Sequence, residues 1–196
     1  MTHRVTDLDR AARLAAGFIH TGRAGSLHEA ISIACEENSL DGQRPGAGRV
    51  RQHLQLMAMQ AMGEAAYREA HAALERSLEE LLTGLVELSG GQIRPLLVGR
   101  AAEGLTDGPG ALHVRLYTTL SVAELAALLE DLECEVELET VDTAVGRLNR
   151  LYVVDDELVV ALTRCPVDMH IPEDADMFSG RPLRTATLED LRARLG

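Results

Sequence analysis

Residues Ile93 to Thr119, IRPLLVGRAAEGLTDGPGALHVRLYTT, decide how this chain is read. Leu96-Leu97-Val98 is a short apolar run that stops at Gly99, the pattern of a buried strand closed by a turn. Leu112, Val114 and Leu116 alternate with His113, Arg115 and Tyr117, so a second strand has one apolar and one polar face. The segment between them is rich in Gly and Asp and reads as a loop.

Downstream of this unit, Ser121-Val122-Ala123-Glu124 forms a capping box, and Leu125, Leu128, Leu129 and Leu132 follow at helical spacing. A helix packed on the sheet is expected there. Glu133, Glu135, Glu137 and Glu139 then alternate with Cys134, Val136 and Leu138, which predicts a strand with four carboxylates on its outer face and an apolar inner face. Such a ladder suits either a solvated face or a divalent cation. Arg147 and Arg150 fall on the next strand, across a turn near Gly146, and are expected to lie opposite those carboxylates. Asp155-Asp156 marks a turn into Leu158 to Thr163, the most apolar segment and the candidate central strand. Thr187-Leu188-Glu189-Asp190 caps a closing helix that turns Leu188, Leu191 and Leu195 inward.

Upstream, the pattern is helical. Thr6-Asp7-Leu8-Asp9 reads as a helix start, with Leu8, Ala11, Ala12, Ala15 and Ile19 as its apolar stripe. Ser26-Leu27-His28-Glu29 opens a second helix that runs to about Glu37. Residues 38–48, with Pro45 and several Gly, form the strongest linker signal. The helical pattern from Arg49 to Leu88 would extend about 60 Å as one rod, against a radius of gyration near 16 Å for a compact chain of this size, so a break near Gly63 is expected. Met57, Met59 and Met62 suit either core or an adaptable partner surface. Ser89-Gly90-Gly91 then divides a helical region, residues 1–90, from a mixed lobe, residues 91–196. The fold class is α+β, and the first two helices are expected to be separable at the linker.

Composition narrows the function. The formal charge is −12, all 19 basic residues are Arg, and Trp is lacking. Binding to a nucleic-acid backbone or base stacking on an aromatic platform is therefore not expected. A membrane partner is not expected either, since no apolar run approaches the roughly 18 residues of a spanning helix. With no apolar segment after Met1, a cytoplasmic location is expected. Cys35, Cys134 and Cys165 are widely spaced and read as free thiols.

The strand, glycine turn and strand, together with Cys165-Pro166-Val167-Asp168 and Ser179-Gly180-Arg181-Pro182-Leu183-Arg184, resemble a group of small bacterial proteins of unknown function related to nucleotidyltransferases. The resemblance covers Arg94 to Leu195. It implies a mixed sheet flanked by helices, a glycine turn at Gly99 that seats a phosphate, and three metal-binding carboxylates. Those three positions correspond to His113, Arg115 and Ala161, none of them acidic. Two-metal catalysis needs carboxylates to hold both ions, so the resemblance implies a pseudoenzyme, with Mg²⁺ relevant only to an active alternative and no cofactor otherwise.

Arg94, Gly99, Arg100, His113 and Arg115 are the candidate residues for a phosphate or nucleotide ligand, because guanidinium forks and backbone N–H groups suit anions. Asp168, His170, Asp174 and Asp176 are weaker candidates for a metal. At the resembled catalytic positions, Glu103 and Asp107 would supply one oxygen ligand if their loop folds inward, too few for two metal ions. The alternative is an interaction module, in which the helical half docks a partner protein or forms a homodimer. The Ser/His/Asp elbow and the Lys-containing phosphate loop do not occur.

Overall fold

The computed structural model describes residues 2–40, 43–105, 111–154 and 158–196, the first five of these as backbone only. Two compact units emerge, residues 2–71 and residues 72–105 with 111–196, dividing within the fourth helix. The expected turn at Asp155-Asp156 and the donor Asp107 lie outside the described residues.

In the first unit, α1 spans Thr2–His20, α2 spans Leu27–Glu37, α3 spans Ala47–Met62, and α4 (Glu64–Leu88) begins here. Helix α1 starts four residues before Thr6, so Thr6 is an interior position rather than a cap. Ser26 does cap α2, accepting from Glu29 N at 3.1 Å, while Glu29 reaches back to Gly25 N rather than to Ser26 N. The expected break falls at Gly63, whose φ of 86° lies in the left-handed region that glycine enters without a Cβ penalty. Ala11, Ala12, Ala15 and Ala16 of α1 pack against Ala30, Ile31 and Ala34 of α2 and against Val50 and Leu54 of α3. Small side chains on α1 let all three helices approach closely. The first two helices therefore share one core with α3, and cutting the chain at residue 46 would strip Val50 and Leu54 of cover. This corrects the expectation that they separate at the linker.

The second unit is a six-stranded mixed sheet of order β3-β4-β5-β2-β1-β6. Its strands are β1 (Ile93–Val98), β2 (Leu112–Thr118), β3 (Val136–Thr143), β4 (Gly146–Val154), β5 (Val159–Pro166) and β6 (Thr185–Thr187). Among the described residues only β2 and β5 pair in parallel, and β5 is central, as its apolar run predicts. The reading of Glu133 to Glu139 as one strand is corrected: β3 begins at Val136, and Glu133 sits at φ 60° in the turn before it. As an edge strand β3 leaves Leu138 61% exposed, so the expected apolar inner face does not form there. The strand β6 was not anticipated, being only three residues long.

One face of the sheet is apolar. Leu97, Leu112, Val114, Leu116, Leu151, Val160 and Leu162 pack against Leu78, Leu82 and Leu85 of α4, Leu125 and Leu129 of α5 (Val122–Asp131), and Leu188 and Leu191 of α6 (Leu188–Leu195). The capping boxes Ser121/Glu124 and Thr187/Asp190 form as expected and start α5 and α6. The opposite face carries the polar side chains and is roofed by the segment from Val167 to Arg184, with Ile171 and Met177 buried against Leu96, Val98, Leu148 and Cys165. No described helix is long and apolar enough to cross a membrane.

Candidate functional site

The strand registers set out the polar face in rows, because directly paired residues share a face. Leu96, Arg115, Thr163, Arg150 and Glu139 form one row across β1, β2, β5, β4 and β3. Val98, His113, Ala161, Tyr152 and Glu137 form the next. Arg94 and Tyr117 face each other in a third row, on the far side of Arg115 from His113. At the usual strand rise, Arg94 and His113 are separated by about 14 Å along the sheet.

Arg115 is 1% exposed, the largest fully buried side chain of the described residues. Its Nη1 donates to the carbonyls of Pro172 at 2.6 Å and Glu173 at 3.3 Å, and its Nη2 to that of Ala175 at 2.6 Å. The guanidinium thus holds the roof on the sheet through backbone atoms. Two hydrogen-bonding edges that an anion would need are occupied. Its Nε and the hydroxyl of Tyr117 are buried without a partner at hydrogen-bonding geometry. Burial raises the Tyr117 pKa, and the nearby Arg115 guanidinium opposes this without cancelling it.

Arg94 is also engaged. Its guanidinium lies 4.4 Å over the Tyr117 ring and pairs with Glu173 at 2.5 Å. Gly99, at φ 59°, gives its N–H to the carbonyl of Arg184 at 2.9 Å, so this turn N–H serves the fold. Glu103 lies 3.5 Å from Arg184 in an exposed ion pair.

The remaining candidates gather at the His113 end. Partial burial, followed by the charges of Arg150 and Arg100, lowers the His113 pKa, while Asp176 pulls it up. His113 is exposed as a residue, so the two guanidinium groups are the firmer reason for the shift. Arg150 is buried, donates from Nε to Thr163 Oγ1 at 3.2 Å and stands 3.6 Å from Glu139. Phe178, 51% exposed, lies over the same guanidinium at 5.6 Å. Arg150 and Phe178 were not among the ligand candidates. For Arg150 the signal was its place in the alternation of β4; for Phe178 the sequence carried none.

Asp168 and His170 line a groove of about 570 Å³ with Arg94, Tyr117 and Glu173. Asp176 is elsewhere, accepting from Ser179 N at 2.7 Å, Ser179 Oγ at 2.8 Å and Phe178 N at 3.1 Å. Burial works against its charge, but the hydrogen bonds from Ser179 and Phe178, together with the charge of Arg115, outweigh burial and lower its pKa. The carbonyl of Asp174 accepts from Leu183 N. Among the described residues, no three His, Cys, Asp or Glu side chains are grouped to hold a metal ion.

Compared with protein-family models, curated proteins and solved structures, the chain matches none. The functional reading therefore rests on the residues and geometry above.

Proposed function

We propose that the sheet unit is a nucleotidyltransferase-like domain without catalysis, which binds a phosphate or nucleotide at the His113 end of its polar face. The observation that carries this reading is the pairing of His113 with Ala161 on parallel strands, with Arg115 two residues along β2 on the same face. In the resembled fold these three positions hold the metal carboxylates. Here they hold an imidazole, a methyl and a guanidinium that contributes its charge while its two terminal nitrogens are spent on the roof carbonyls. A site with that charge repels divalent cations and attracts an anion. Arg100 and Arg150, which act electrostatically on His113, add to the attraction.

Calorimetry with inorganic phosphate and with ATP tests the binding. Arg100→Glu and His113→Glu should each weaken it at least about tenfold, since each replaces an attraction by a repulsion. Unchanged binding in both variants overturns the site. Incubation with each nucleoside triphosphate and Mg²⁺ or Mn²⁺ should release no pyrophosphate. Release that disappears in Glu103→Ala would overturn the noncatalytic reading.

A further inference from the structure

The helical unit carries a groove that the reading above does not use. Arg10, Arg13, Leu14, Gly17, Phe18 and Thr21 lie along one side of α1, with Met57 of α3 and Arg23 completing a groove of about 520 Å³. Its floor is apolar and its rim cationic. Three of these eight lining residues are Arg and none is acidic, in a chain where 31 acidic residues outnumber 19 Arg. Arg23 is engaged, stacked on Phe18 at 4.4 Å and paired with Glu37 at 2.7 Å. Further ion pairs among the described residues of the unit join Arg49 and His53 to Asp9 and Arg68 to Glu64. Arg10 and Arg13 are exposed and have no ion pair among the described residues.

We infer that this groove docks an acidic amphipathic helix of a partner protein. The length fits: from Arg10 to Thr21 the groove follows α1 for about 16 Å, or three turns of a facing helix. The crossing fits as well, because Gly17 presents no side chain at the middle of the groove, and a Cβ there would meet nothing within 4 Å. A ridge of Leu side chains on the partner enters this gap, as in other helix-in-groove complexes. Carboxylates flanking that ridge reach Arg10 and Arg13, whose long side chains cover the rim while keeping their charges in water. The groove lies on the helical unit alone, so this inference stands apart from the anion site of the sheet.

The test uses the full chain and two labelled 18-residue peptides, both with Leu at every third or fourth position, one with Glu and one with Lys at the flanking positions. Fluorescence anisotropy should show saturable binding of the Glu peptide, weakened by salt because the exposed pairs are screened. Binding should drop at least about tenfold in R10E/R13E, in which two attractions become repulsions. Gly17→Leu should abolish it while leaving the circular dichroism intact, since the new side chain enters open space and fills the groove. Equal binding of the Lys peptide, no binding of the Glu peptide, or an unaffected Gly17→Leu variant would overturn the inference. Light scattering supplies the last arm: a multimer that Gly17→Leu reduces to a monomer would make the occupant a second copy and overturn the partner assignment.

Discussion

Arg115 donates to the carbonyl oxygens of Pro172 and Ala175 at 2.6 Å each, across 57 and 60 residues of chain. This one side chain fastens the roof to the sheet. A guanidinium buried among carbonyl dipoles is held by charge-assisted hydrogen bonds, and removing it leaves three carbonyls without a donor. Arg115→Ala should therefore lower stability by about 3 kcal/mol, or roughly 6–12 °C in melting temperature for a chain of this size. Thermal unfolding followed by circular dichroism checks this. A loss below about 1 kcal/mol would mean that water replaces the guanidinium at little cost.

His113 sets a pH dependence. Its folded pKa lies below the unfolded value of about 6.5. The unfolded chain therefore takes up a proton that the folded chain resists. Between the two pKa values stability falls as pH falls, and above about 6.5 the contribution is constant. Arg150→Gln should raise the His113 pKa by removing a neighbouring positive charge, as followed by NMR titration of the ring protons. Phosphate binding should also raise it, and the affinity for phosphate should increase as pH falls through the titration.

Cys165 offers a reactivity test. Burial raises its thiol to about 12 despite the opposing charges of Arg115, Arg164 and Arg94. The thiolate is the reactive form, so iodoacetamide at pH 8 should leave Cys165 unmodified in the native protein and modify it after denaturation. Mass spectrometry of the digested protein reads the outcome. Native labelling of Cys165 would show that the roof opens on the timescale of the reaction.

Local chemistry was the legible part of this sequence. Capping at Ser26, Ser121 and Thr187, the break at Gly63 and the alternation of Leu112, Val114 and Leu116 each follow from a few neighbouring residues, and each corresponds to an element. Features that depend on distant partners were not legible. Three residues of β6 carry no periodicity; they are a strand only because Leu96, Leu97 and Val98 offer an edge. Leu138 reads as core from its alternation, yet on the edge strand it stays exposed. For the candidate site, the strand pattern placed His113 and Arg115 on one polar face, while the spending of Arg115 on Pro172, Glu173 and Ala175 depends on how a loop nearly sixty residues away returns over the sheet.

Because Arg115 donates to main-chain oxygens of the roof, the clamp itself does not depend on the side chains at the positions it holds. Glu173 and Asp174 are exposed and Ala175 half-buried, and none of the three contributes side-chain atoms to the clamp. Asp174 and Ala175 can thus be varied in a combinatorial library while Arg115 beneath them keeps the loop in place, whereas Ile171 and Met177, buried against the sheet, are fixed by packing.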